Sequence, residues 1–277
     1  MEENPPADVS RRSFLSSIST NTFVAAFLGV EAMGKAAPRI VLEDVSFDSG
    51  MDRVKGVLAR PSGKGRRPSV IVIHEIFGVS PFIRSVAEKL AEAGYNALAV
   101  DYFTREGAPP AVKDDLQPLL EFVAKVSDEQ VLADTRAAIA YLQTRLDTSG
   151  RTGVLGFCWG GRHAMLAAAE ASHLGAAVAY YGRIRSADPA VRSPFALADR
   201  MSAPLLGHFG QEDASIPVAD VEAFRAALAE HQKRAELYVY RNAGHAFAND
   251  TRPTYRAEPA KLAWTRTLEW FRQNLRT

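Results

Sequence analysis

Hydrophobic and polar positions along this chain follow two periods, and the switches between them divide it into strands and helices. Residues 39–47 and 52–60 alternate with period two, as expected of two strands forming an antiparallel edge. Ser69 to His74, S-V-I-V-I-H, is a continuous β-branched run after Pro68, the pattern of a strand buried on both faces. Ile83, Val86, Leu90 and Ala91 recur at helical spacing, so Pro81 to Ala93 reads as a helix stopped at Gly94. A strand is expected at Asn96–Val100, then a looser stretch to about residue 126. A long helix follows from Asp128, taken as its N-cap, to about Leu146.

The second half continues in the same manner. Gly153–Phe157 reads as a short strand and Trp159–Ala171 as an alanine-rich helix. Further strands are expected at Ala176–Tyr181, Pro204–Phe209 and Ala235–Tyr240, with helices at Val218–Ala229 and Pro259–Leu275. Strands alternating with helices predict an α/β fold, a mostly parallel sheet covered by helices on both faces. No repeat or linker interrupts the pattern after residue 38, so 38–277 reads as a single domain.

Composition narrows the function classes. The 277 residues carry a formal net charge of +1, with 47% hydrophobic and 23% charged positions, ordinary for a globular enzyme. No basic patch interleaves with aromatics, which argues against a nucleic-acid partner. No apolar run reaches the roughly 18 residues of a spanning helix. Residues 1–37 differ in kind. Ser10-Arg11-Arg12-Ser13-Phe14-Leu15 precedes a modest apolar stretch and small residues before Pro38, the order of a twin-arginine export signal. A periplasmic or secreted protein is expected. Such a compartment oxidises thiols, yet the chain has one cysteine and so can form no internal disulfide. That cysteine is either inert or kept for chemistry.

Its neighbours favour chemistry. Gly156-Phe157-Cys158-Trp159-Gly160-Gly161 joins a predicted strand to a predicted helix with the spacing of a nucleophile elbow. The glycines remove bulk where the turn is tightest, and the helix N-terminus favours thiolate over thiol. The backbone N–H of Trp159 is placed to serve an oxyanion. In that fold the acid and the histidine follow at later strand ends. Asp213 lies in the loop after the Pro204–Phe209 strand. His245 follows Asn242-Ala243-Gly244, with Gly244 expected to supply the turn that presents the imidazole. The triad Cys158, His245, Asp213 is the reading. Of the other histidines, His163 is expected to pack in the elbow helix, His74 ends a strand, His208 lies within one, and His173 and His231 sit at helix ends. No pair has convincing metal spacing with carboxylates, so no metal is predicted.

Taken together, His74-Glu75-Ile76-Phe77-Gly78, the G-F-C-W-G-G elbow, Tyr180-Tyr181-Gly182, Gly210-x-x-Asp213-x-x-x-Pro217 and Gly244-His245-x-Phe247 resemble the dienelactone hydrolase family, across roughly residues 39–277. The resemblance implies an α/β-hydrolase fold and cleavage of a small ester or lactone, with water the only cosubstrate and no cofactor. It implies that Glu75 hydrogen-bonds the resting Cys158, and that the Ile76 N–H faces that of Trp159 as second oxyanion donor. It implies a substrate-binding role for Arg105, from Asp101-Tyr102-Phe103-Thr104-Arg105, with Tyr181 and Phe247 walling the pocket. Where the family places a second carboxylate-binding arginine, four residues beyond the histidine, this chain has Asn249. A neutral residue there implies a less anionic substrate. A monomer is expected. Competing readings are a general small-acyl carboxylesterase or thioesterase, a binding protein on the same shell, and a peroxide-sensing thiol; the last lacks a resolving cysteine.

Overall fold

The computed structural model describes residues 39–275 save 113, 114, 187, 189 and 190, so the expected export signal lies outside the described residues. The elements are β1 (Ile40–Ser49), β2 (Asp52–Pro61), β3 (Arg67–Ile73), α1 (Pro81–Glu92), β4 (Asn96–Asp101), α2 (Gln117–Val123), α3 (Asp128–Thr144), β5 (Thr148–Phe157), α4 (Trp159–Glu170), β6 (Leu174–Tyr180), β7 (Leu205–Gly210), α5 (Val218–Glu230), β8 (Ala235–Tyr240) and α6 (Ala257–Leu275). They build one eight-stranded sheet in the order β1-β2-β4-β3-β5-β6-β7-β8. β1, β2 and β4 pair antiparallel; β4 through β8 run parallel. Helices α1 and α6 cover one face, and α3, α4 and α5 the other. The alternation predicts this mostly parallel α/β sheet, and its order is that of the α/β-hydrolase fold the resemblance implies. Among the described residues no helix is long and apolar enough to cross a membrane.

Burial follows the sequence pattern. Val70, Ile71, Val72 and Ile73 of β3 are fully buried, as are Ala97 to Val100 of β4, because helices lie on both sides. β1 alternates exposed and partly buried positions, as an edge strand does. Register aligns the strand ends that matter. Ile73 pairs with Gly156, Phe157 with Tyr180, Tyr180 with His208, and Gly210 with Tyr240. The loops carrying Glu75, Cys158, Asp213 and His245 therefore leave the sheet along one edge, where ligands of open α/β sheets bind.

Three local expectations are corrected. Ser127, not Asp128, caps α3: it is extended at φ −74°, ψ 157° and its Oγ accepts from the Gln130 N–H at 3.1 Å. Asp128, one residue inside the helix, is left free to take both guanidinium nitrogens of Arg162 at 2.6 and 2.7 Å. Within the stretch read as loose to about residue 126, α2 forms. Gly244 is not what turns the histidine loop. Asn242 and Ala246 take the left-handed conformation there, at φ 54° and 61°.

The elbow glycines are sterically required. A Cβ on Gly156 would run into the Gly160 carbonyl, and one on Gly160 into the carbonyls of Ile73 and His74. By contrast, a Cβ on Gly244 would meet only the Glu212 carbonyl, at 3.7 Å. Gly160→Ala is expected to lower stability by about 1–3 kcal/mol through overpacking against backbone. Gly244→Ala is expected to stay within about 0.5 kcal/mol of the native protein. Denaturant midpoints compared at unchanged m-value check this; equal midpoints for all three proteins would refute it.

Candidate active site

Cys158 occupies the junction of β5 and α4 at φ 55°, ψ −114°, a conformation that a non-glycine residue adopts only when its surroundings enforce it. Its N–H donates to the Tyr180 carbonyl at 3.0 Å, and its own carbonyl accepts from the Arg162 N–H at 3.1 Å. Sγ thus projects at the N-terminus of α4 and remains partly exposed. There it lies 3.1 Å from His245 Nε2. On the far side of the ring, Nδ1–H donates to Asp213 Oδ2 at 2.7 Å. The three residues that the sequence singles out are brought into one hydrogen-bonded line.

Asp213 is buried and His245 is partly exposed. Burial opposes charge on Asp213, but hydrogen bonds from His245 and Ser215 hold its carboxyl below the usual range. Burial likewise opposes charge on His245, but the bonds to Asp213 and Cys158 outweigh it and push the imidazole up to about 10. Ser215 is a residue the sequence reading missed. Its N–H and Oγ–H donate to Asp213 Oδ1 at 2.9 and 2.6 Å, fixing the oxygen that His245 does not use. The Asp-x-Ser spacing, typical of turns in which a carboxylate caps its own backbone, was the available signal.

Glu75 follows β3 and is almost completely buried, at 2% exposure. Its Oε2 accepts from Asn249 Nδ2 at 2.8 Å, while Asn249 Oδ1 accepts from the N–H and hydroxyl of Thr251 at 3.0 and 2.7 Å. Among the described residues no hydrogen bond joins Glu75 to Cys158; the sulfur is engaged by His245 instead. The glutamate expected on the resting thiol is parked on the asparagine. Burial raises its pKa, opposed by Arg252, Asn249 and His245. Arg252, also unflagged by the sequence reading, lies exposed with its guanidinium carbon 4.2 Å from the Phe77 ring centroid. The N–H groups of Ile76 and Trp159 meet no protein acceptor among the described residues. No group of three or more metal-ligating side chains occurs among them either.

The sequence profile described as the dienelactone hydrolase family matches residues 54–275. The chain belongs to that family. A Methylorubrum extorquens protein provisionally named a carboxymethylenebutenolidase is 36% identical over 271 residues, spanning 96% of this chain and 93% of that one. An Escherichia coli K12 protein under the same provisional name is 42% identical over 238 residues, 84% and 88% of the two chains. A crystal structure from Klebsiella pneumoniae, provisionally titled a dienelactone hydrolase, superposes with a TM-score of 0.81 at 39% identity, covering 85% of this chain and 99% of that one. The chain is therefore a hydrolase.

Within this dienelactone hydrolase family framework, four residues expected at the substrate are engaged elsewhere. Arg105 is not a free cation. Its Nη1 and Nη2 donate to the two Asp134 oxygens at 2.7 and 3.0 Å, and its Nε donates to Asp52 at 2.6 Å. Asp134 is fully buried in α3, where an uncompensated carboxylate would be costly, and Ser49 Oγ–H completes its shell at 2.6 Å. Arg105 therefore bolts the β1–β2 hairpin to α3. Tyr181 and Phe247 are both at 0% exposure, with ring centroids 5.6 Å apart at 72°. Neither walls an open pocket; Tyr181 instead backs the His245 ring at 5.2 Å. Asn249, at 2% exposure, faces Glu75 and not solvent.

Glu75 also makes a signed prediction. Its folded pKa lies above the ordinary glutamate range, so the native state binds the proton more tightly than the unfolded state. Its stabilising contribution is then intact at low pH and lost as pH rises through the raised value. Glu75→Gln, always neutral, removes that loss. The variant should gain on the native protein as pH increases from about 4 to about 8. Denaturation midpoints across this range check it; a difference independent of pH would refute it.

Proposed function

We propose that this hydrolase cleaves small esters or lactones, in the manner of a carboxymethylenebutenolidase, through a Cys158–His245–Asp213 triad. The observation that supports it is the continuous line from sulfur to imidazole to buried carboxylate, 3.1 and 2.7 Å, at a glycine-enforced elbow. In this reading the Cys158 thiolate attacks the substrate carbonyl carbon, and the electron pair moves to the carbonyl oxygen. The N–H groups of Ile76 and Trp159 receive that oxyanion, each typically worth a few kcal/mol in the transition state. Collapse expels the alcohol or opens the ring, and His245 Nε2–H supplies the leaving oxygen with its proton. Water deprotonated by His245 then hydrolyses the thioester, with Asp213 holding the ring throughout. Glu75, held on Asn249, takes no proton in this cycle, in which the thiolate is regenerated as the thioester collapses.

A second reading, a broad small-acyl esterase or thioesterase, is favoured by one specific observation. Of the two family positions associated with binding a substrate carboxylate, one holds an arginine already committed to Asp134 and Asp52, and the other a neutral asparagine. A substrate without a carboxylate fits this set. The test is a panel of neutral and carboxylate-bearing esters and enol-lactones assayed with the native protein and Cys158→Ala. Native turnover of neutral members, falling at least about 10³-fold in the variant, is expected. Equal turnover by the two proteins would end the cysteine-nucleophile reading; turnover confined to carboxylate-bearing lactones would end the broad-ester reading.

A further inference from the structure

His74 is a buried titratable side chain that the proposed chemistry does not use. It follows β3 directly, is at 0% exposure, and has both ring nitrogens engaged by backbone. Nε2 lies 3.3 Å from the Tyr102 N–H and accepts from it, so that nitrogen carries no proton. The proton of the neutral ring is therefore on Nδ1, which donates to the Glu75 carbonyl at 2.6 Å. Burial lowers the imidazole pKa to about 4, against the opposing bond to Glu75, so the ring stays neutral and keeps this tautomer near neutral pH. Its orientation is fixed as well. One face stacks on Trp159 at 5.4 Å and 14°, and Phe103 packs edge-on at 4.5 Å and 64°.

What His74 grips is one half of a peptide unit. The Glu75 carbonyl and the Ile76 N–H belong to the same planar trans amide, so they point in opposite directions and turn together. Tethering the carbonyl sets the direction of the N–H. The Gly78 N–H adds only a longer bond to the same carbonyl, at 3.3 Å. A flip of this peptide would replace a donor with a carbonyl oxygen at the place where negative charge develops. The same imidazole seats the indole of Trp159, whose backbone N–H is the facing donor.

We infer that His74 is a positioning residue for the oxyanion hole, holding the Glu75–Ile76 peptide by its Nδ1–H. The inference rests on the proposed roles of Ile76 and Trp159, and His74 itself touches no reacting atom.

Two substitutions separate this from a merely structural role. His74→Phe keeps a stacking ring but loses the donor; His74→Asn keeps an N–H close to the Nδ1 position but loses the ring. Two reactions of Cys158 are compared in each. Hydrolysis of an activated aryl ester builds an oxyanion, whereas alkylation by iodoacetamide is a displacement at saturated carbon and builds none. His74→Phe is expected to lower kcat about 10²-fold or more, with KM and the alkylation rate within about twofold of native. His74→Asn is expected to recover at least about tenfold of that loss. Native kcat in His74→Phe, or kcat and alkylation falling together, would overturn the inference. Thermal unfolding monitors integrity. If the Phe variant does not fold, His74→Asn decides: kcat within about tenfold of native supports the tether, and near-complete loss with intact alkylation overturns it. Should the native protein hydrolyse no ester, the parent reading fails visibly and this one falls with it.

Discussion

A single backbone conformation organises the molecule. Cys158 sits at φ 55° between a strand that ends at Phe157 and a helix that begins at Trp159. An outlier of this kind costs about 1–3 kcal/mol and persists only where its surroundings over-determine it. Here they do. Gly156 and Gly160 pass too close for any Cβ, and the Cys158 N–H is tied to Tyr180 of the neighbouring strand. Sharp reversal from strand to helix lifts the sulfur above the sheet edge and sets it at the positive end of α4. The parallel register then delivers the loops after β7 and β8 to the same edge, which is where the carboxylate and imidazole are needed.

Around that sulfur, burial and partnering divide the titratable groups into roles. Asp213 and His245 are partnered strongly enough to stay charged despite desolvation, while Glu75 is pushed toward its neutral form and His74 is kept neutral. Neighbouring side chains hold these groups in place. Ser215 fixes Asp213, Asn249 holds Glu75, and His74 fixes the amide between Glu75 and Ile76. Arg105 belongs to a different economy, neutralising the carboxylate that α3 buries at Asp134. Its commitment to Asp134 and Asp52, together with the neutral Asn249 on Glu75, is what favours a substrate without a carboxylate in the proposed reading.

How much of this was legible depended on the range of the interaction. The buried strands were readable because β-branched runs such as Ser69–Ile73 advertise burial on both faces. The triad was readable because three chemically suited residues occur in fold order at three strand ends. Helix α2 was not: it has seven residues, Leu116 at its N-cap makes no side-chain cap, and Pro118 stands in its first turn. The cap itself was local, Ser127 beside Asp128, but the partner of Asp128, Arg162, lies 34 residues away and could not be read. The same applies to Arg105 and Asp134, 29 positions apart, and to Glu75 and Asn249, 174 apart. Local pattern identifies residues suited to chemistry; which of them are already committed to each other is decided by tertiary packing.

The central claim is that Cys158 becomes covalently acylated during turnover. Acid quench of the native protein while it hydrolyses an activated aryl ester, followed by proteolysis and mass analysis, reads this directly. The account predicts the acyl mass on the peptide containing Cys158, as a thioester that hydroxylamine removes. Steady ester turnover with the acyl group on a serine or any other side chain, and Cys158 unmodified, would contradict it.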